Sequence, residues 1–258
     1  NNWNETVLQS FVVADATPPA ASLLGPGNNN YTNLQIISFN FSARDSSALK
    51  NATLYANFSG QWLPNATNTT VLVQDQLTTI NATGVQEGYY VWNILVCDNA
   101  PSPGPNCGFA QSNRTLIVDR TLPTWSNNQT NETADAPKQG DIIQLNVTIS
   151  DSVGLNRFIY STNDSGSWAN SSAVTISGTN FNITINESVN SPTDRIIGWQ
   201  IFFYDLGGNL NTTDLFTYLV KPGGGDSVPP AITLNSPANY ANLTLYNLTF
   251  NISANDFS

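Results

Sequence analysis

Aspartate returns along this chain at matched positions: Asp15, Asp45 and Asp98, then Asp119, Asp151 and Asp205, with Asp226 and Asp256 opening a third set. Converging carboxylates repel one another unless a proton or a cation separates them, and Ca²⁺ accepts about six to eight hard oxygen ligands of this kind. The chemistry on offer is structural Ca²⁺ binding at domain junctions, one ion for each set of three. The competing use of the same residues is turn formation, because Asp in DSS, DSV and DLGGN bonds its own backbone.

Two cysteines and a dense set of glycan acceptors are the other reactive groups. Cys97 and Cys107 flank the loop-like stretch DNAPSPGPN. A local disulfide across it implies an oxidising compartment; a pair of free thiols is the alternative, and no metal spacing competes. The N-glycan acceptor Asn-x-Ser/Thr starts at Asn4, Asn30, Asn40, Asn51, Asn57, Asn65, Asn68, Asn81, Asn113, Asn128, Asn131, Asn146, Asn163, Asn170, Asn182, Asn186, Asn211, Asn242, Asn247 and Asn251. Composition alone would give about seven such triplets. Residues i and i+2 of a strand share one face, so acceptor and hydroxyl can point outward together. Covalent N-glycans would hydrate a surface on which only 10% of residues are charged.

Several functions are excluded. The chain has no His, which removes Ser-His-Asp and Cys-His nucleophile pairs and His-bearing zinc sites. There is no G-x-x-x-x-G-K phosphate loop, and nothing singles out a carboxylate pair for glycoside hydrolysis. The chain reads as no enzyme, with no required cofactor. Eighteen acidic residues against eight basic ones, three of them Lys50, Lys138 and Lys221, make nucleic acid and anionic lipid poor partners. No run of about 18 apolar residues is present to span a membrane as a helix.

The elements that position these groups are repeated strands. Residues 45–62, DSSALKNATLYANFSGQW, match 151–168, DSVGLNRFIYSTNDSGSW, without a gap. Further on, Trp92 and Asp98 align with Trp199 and Asp205, and DATPP, DRTLP and DSVPP recur between repeats. Alternating apolar residues, such as Ile37, Phe39, Phe41 and Ala43, or Ile143, Leu145, Val147 and Ile149, predict strands and no helices. Seven short strands in about 100 residues fit an all-β, immunoglobulin-like sandwich. In that path the start of the first strand, the end of the second and the end of the sixth lie at one pole, which is where each set of aspartates falls.

The Pro-rich strings place boundaries at 18–121 and 122–227 for two complete domains. Residues 1–17 read as the last strand of a preceding or partner domain, and 228–258 as the first strands of a further one. Such ends belong to a window on a longer polypeptide, or to strands that complete a neighbouring copy by strand donation. Trp92 and Trp199 read as core. Trp62 and Trp168, each just after a Ser-Gly turn, are open to a core or a sugar-stacking role.

The strings DATPP, DRTLP and DSVPP, each followed by a strand and an Asp turn, resemble the tandem bacterial and archaeal immunoglobulin-like repeats of large adhesins, surface-layer proteins and extracellular filaments. The sequon density leans toward an archaeal surface glycoprotein, and the junction aspartates look like cadherin calcium sites without the cadherin motifs. The resemblance implies an extracellular, cell-surface structural repeat that assembles linearly with copies of itself into a filament, stalk or surface layer. Two alternatives are an adhesive module with a cell-surface or glycan ligand, and a spacer within a larger secreted enzyme.

Overall fold

A computed structural model describes residues 14–70, 72–100, 104–134, 136–223, 231–236 and 249–255. Among them the chain is all-β, with two separate apolar cores. Most of the strand expected within 1–17, and the aspartates Asp226 and Asp256, lie outside the described residues.

The first domain runs through β1 (Ala20–Gly25), β2 (Asn30–Thr32), β3 (Ile36–Arg44), β4 (Leu49–Ala56), β5 (Leu63–Asn68), β6 (Thr78–Thr83), β7 (Gly88–Asp98), β8 (Cys107–Phe109) and β9 (Arg114–Val118). One sheet has the order β1-β3-β6, the other β2-β9-β7-β4-β5 with β8 on β7. The second domain repeats this with β10 (Thr124–Thr130), β11 (Ile142–Ser150), β12 (Leu155–Thr162), β13 (Ala169–Asn170), β14 (Val174–Thr175), β15 (Asn180–Ser188), β16 (Ile196–Asp205), β17 (Leu210–Thr212) and β18 (Phe216–Leu219). Its sheets are β10-β11-β15 and β13-β12-β16-β17, with β14 on β12 and β18 on β16.

Strict alternation decides which side chains enter each core. In β3 the residues Ile37, Phe39, Phe41 and Ala43 are buried, and in β11 Ile143, Leu145, Val147 and Ile149, because successive side chains of a strand point to opposite faces. Trp92 and Trp199 are fully buried as expected. Trp92 meets Phe39 edge-on at 4.8 Å, whereas Trp199 lies 4.8 Å from Phe216. The seven strands expected in each repeat become nine. In the first domain the opening strand divides at Pro26, and β2 crosses to pair in parallel with β9. The Cys97–Cys107 disulfide is formed between paired residues of β7 and β8, and β17 takes the matching place on β16 without one.

Beyond the second domain, β19 (Ala231–Ser236) and β20 (Asn251–Asn255) form an antiparallel pair. Ile232, Leu234, Phe250 and Ile252 are all more than half exposed. Two strands alone bury no face.

Candidate cation sites at the domain junctions

Each set of three aspartates is brought together. Asp15 precedes β1, Asp45 follows β3 and Asp98 ends β7; Asp119 follows β9, Asp151 follows β11 and Asp205 ends β16. Within each set, one carboxylate oxygen per residue lies within 4.8 Å of the others. Two oxygens bound to one Ca²⁺ at about 2.3–2.6 Å can be no more than about 5 Å apart, so both sets fit a single hard cation. The second set joins two domains, since Asp119 leaves the last strand of the first while Asp151 and Asp205 belong to the second.

Local structure explains the placement. Asp45 Oδ1 accepts from the Ser47 backbone N–H at 2.7 Å, and Asp151 Oδ1 accepts from Val153 and Gly154 N–H groups at 2.8 and 2.7 Å. Turn formation and convergence are therefore two uses of one side chain.

An asparagine that sequence reasoning missed locks each site. Asn209 Nδ2 donates to the Asp119 and Thr121 carbonyls at 3.0 and 3.2 Å and to Asp205 Oδ2 at 2.8 Å, while its Oδ1 accepts from Asn33 Nδ2 at 3.1 Å. Asn106 does the same work earlier, donating to the Asp15 carbonyl and Asp98 Oδ2, both at 2.9 Å. The signal was present as Asp205-x-x-x-Asn209, but the disulfide loop displaces its counterpart to Asp98 and Asn106. Gly207 is required beside this lock, because a Cβ there would come within 2.8 Å of the Asp119 carbonyl.

Electrostatically the two sites differ. Asp15 Oδ2 accepts from the hydroxyls of Ser46 and Ser47, and its Oδ1 from the N–H and hydroxyl of Thr17. These donors, Ser47 first and then Thr17, hold the Asp15 carboxyl well below the usual carboxylate range. Burial would raise Asp98, but N–H groups of Ala100 and Asn106 and the Asn106 amide outweigh it and keep it low.

Asp119 is only 2% exposed and its Oδ2 has no hydrogen-bond partner. Burial pushes its carboxyl up to about 6, partly offset by the Thr121 N–H, while Asp151, Asp205 and Glu87 add repulsion. Burial likewise raises Asp205, against its bonds from Asn209. No cation reaches this set: the ion pairs among the described residues are Arg44–Asp75 and Lys221–Glu132. An unpaired buried carboxylate oxygen on a residue clustered with two more carboxylates is unfavourable, and a divalent cation would satisfy it.

None of the sequon asparagines among the described residues is buried; Asn4, Asn242 and Asn247 lie outside them. Two sequons satisfy each other across strands, with Thr148 Oγ1 donating to Asn182 and Thr184 Oγ1 to Asn146, both at 2.8 Å. Asn-x-Thr on neighbouring antiparallel strands is thus also a hydrogen-bonding ladder. Trp62 and Trp168 remain 38% and 50% exposed on outer sheet faces.

No protein-family model matches the chain, and no curated protein matches it in sequence. Among solved structures it is similar to the chicken CNTN1 FN1–FN3 domains, at 7% identity and a TM-score of 0.38, covering 80% of this chain and 69% of that one. It is also similar to a tetra-tandem repeat in the extending region of a large adhesion protein, at 14% identity and a TM-score of 0.30, covering 85% and 52%. A third likeness is to red sea bream transglutaminase, at 11% identity and a TM-score of 0.27, covering 81% and 32%.

Proposed function

We propose that this chain is a non-catalytic stretch of a glycosylated extracellular array, a stalk, filament or surface layer, whose joints are stiffened by divalent cations. The observation that carries this reading is the buried set Asp119–Asp151–Asp205, built from both sides of a junction and holding an oxygen with no partner. A cation there ties the end of one sandwich to two loops of the next, turning a hinge into a strut. The disulfide and the sequons among the described residues, none of them buried, support an extracellular setting. Assembly with further copies, by continuation of the chain or by strand donation, is the role this geometry suits. Ca²⁺ is the proposed ion because every ligand is a hard oxygen.

The test is a titration of the chelator-stripped protein with CaCl₂, read by calorimetry and small-angle scattering. Ca²⁺ at about a hundred times its dissociation constant should stabilise the junction by about 2.7 kcal/mol and narrow the spread of interdomain distances. Asp119→Asn should abolish both effects. Unchanged stability and scattering in excess Ca²⁺ and in excess chelator would overturn the cation reading. Specific retention of a glycan ligand by the two domains would favour an adhesive module instead.

A further inference from the structure

We infer that Trp168 is a platform on which the first sugar of a glycan at Asn170 packs. The inference rests on the glycosylation reading above and deepens it by assigning one glycan a protein surface.

Trp168 follows a Ser-Gly turn and leads directly into β13. Its indole is half exposed, and its Cζ2 and Cη2 edge covers Gly198, where a Cβ would come within 3.2 Å of both atoms and of Leu215 Cδ1. Gly198 stands between Ile197 and Trp199, whose side chains enter the core. It therefore opens on the outer face of the sheet, and it is buried because the indole and Leu215 lie over it. A glycine inside a strand weakens the strand and marks a close approach by another group. At the matching place in the first domain stands Val91.

Asn170 pairs with Ser161 of β12, and residues i and i+2 share a face. The indole of Trp168 and the amide of Asn170 thus rise from the same outer face about 7 Å apart along the strand. The Asn170 side chain makes no hydrogen bond among the described residues, while the hydroxyl of Ser171 is engaged by backbone groups, accepting from the Tyr160 N–H and donating to the Ser172 carbonyl. The acceptor amide is free, it stands beside an open aromatic ring, and the sugar it would carry is tethered there covalently. The C–H face of a pyranose would cover apolar indole surface that is otherwise left to water.

The counterpart in the first domain lacks this design. Trp62 leans on Tyr55 and Phe109, with ring centroids 6.0 and 6.2 Å away. The nearest following acceptor, Asn65, uses Nδ2 to donate to the Ala56 and Leu63 carbonyls at 3.1 and 2.8 Å. A glycan at Asn65 would replace one of those two hydrogens.

The experiment produces the whole chain in an N-glycosylating host and trims it enzymatically to a single N-acetylglucosamine per occupied site. Wild type, Trp168→Ala, Trp168→Phe, Asn170→Gln and the double variants are compared, with the same set made without glycosylation as control. Glycopeptide mass spectrometry should find Asn170 occupied. The sugar should raise the folded-to-unfolded ratio of the second domain by roughly two- to tenfold beside Trp168, by less in Trp168→Phe, whose ring is smaller, and not at all in Trp168→Ala. Occupied Asn170 with additive effects overturns the platform and leaves the glycan reading standing. Bare Asn170 among other occupied sites also overturns the platform. No occupied sequon anywhere overturns the glycan reading and the platform with it.

Discussion

At the leading pole of the first domain, both oxygens of Asp15 are met by hydroxyl and N–H donors; at the junction, Asp119 keeps one oxygen bare and buried. The two sites share three aspartates and a locking asparagine, so the contrast lies in the hydroxyls around the first acid: those of Thr17, Ser46 and Ser47 all donate to Asp15, whereas that of Thr121 goes to Glu87. In DSS the hydroxyl of Ser47 reaches Asp15, whereas in DSV the matching residue is Val153, which has none to offer. Burial adds to this, because Asp119 is 2% exposed whereas Asp15, among the described residues, is only half-buried. The same framework therefore yields one site satisfied by protein donors and one that keeps a buried carboxylate oxygen without a partner. A carboxylate cluster is defined by its donors as much as by its acids.

The comparison is broken most forcefully at the locks. Asn209→Ala removes donors to two linker carbonyls and to Asp205, all buried or partly so, and should destabilise the second domain by about 2–4 kcal/mol in urea unfolding. Asn106→Ala, beside an Asp15 held by other donors, should cost about 1–2 kcal/mol in the first domain. Equal losses would mean that the two locks do equivalent work and that enclosure between domains adds nothing.

Acid should act on the two sites with opposite signs in chelator-stripped protein. Asp119 has a folded pKa of about 6 against 3.8, so the native state binds the additional proton between these values. Its contribution is then most favourable below about pH 4 and is lost as pH rises through about 6, by roughly 1–3 kcal/mol. Asp15 is depressed, so its contribution is present above the ordinary carboxylate range and lost as pH falls through its folded value. Stability of each domain against pH, followed by NMR or hydrogen exchange, should show the second gaining as pH falls from about 6 to about 4 and the first losing only below about pH 4. Parallel curves would sink the distinction.

A swap sharpens the cause. Val153→Ser should give Asp119 a donor, lower its pKa and stabilise the cation-free protein by about 1 kcal/mol, while weakening its response to Ca²⁺. Ser47→Val in the more accessible first site should change stability by about 0.5 kcal/mol or less, since water can replace the lost hydroxyl. If Val153→Ser leaves the pH profile unchanged, the bare oxygen has another origin.

Much of this was legible because it is local. Period-2 alternation in Ile143–Ile149 and Ile37–Ala43 marked the buried faces, and repeated Trp and Asp positions gave the array and the set of six aspartates, since a repeated fold puts repeated residues at repeated places. The sequon asparagines were expected on outer faces, and those within the described residues are unburied for the same reason. Less visible was Asn106, because the disulfide loop shifts its spacing from Asp98 relative to the Asp205–Asn209 pair. The reciprocal bonds between the Asn146 and Asn182 sequons depend on strand register, which no single strand encodes.

What the sequence determined by itself, then, was the fold class, the repeat and the identity of the converging acids, because these follow from alternation and self-similarity along the chain. Only the tertiary structure decided that the two acidic sets are unlike. Whether a carboxylate oxygen is satisfied depends on donors brought from other strands and on how much water a neighbouring domain excludes, and both are set by packing between segments far apart in the chain.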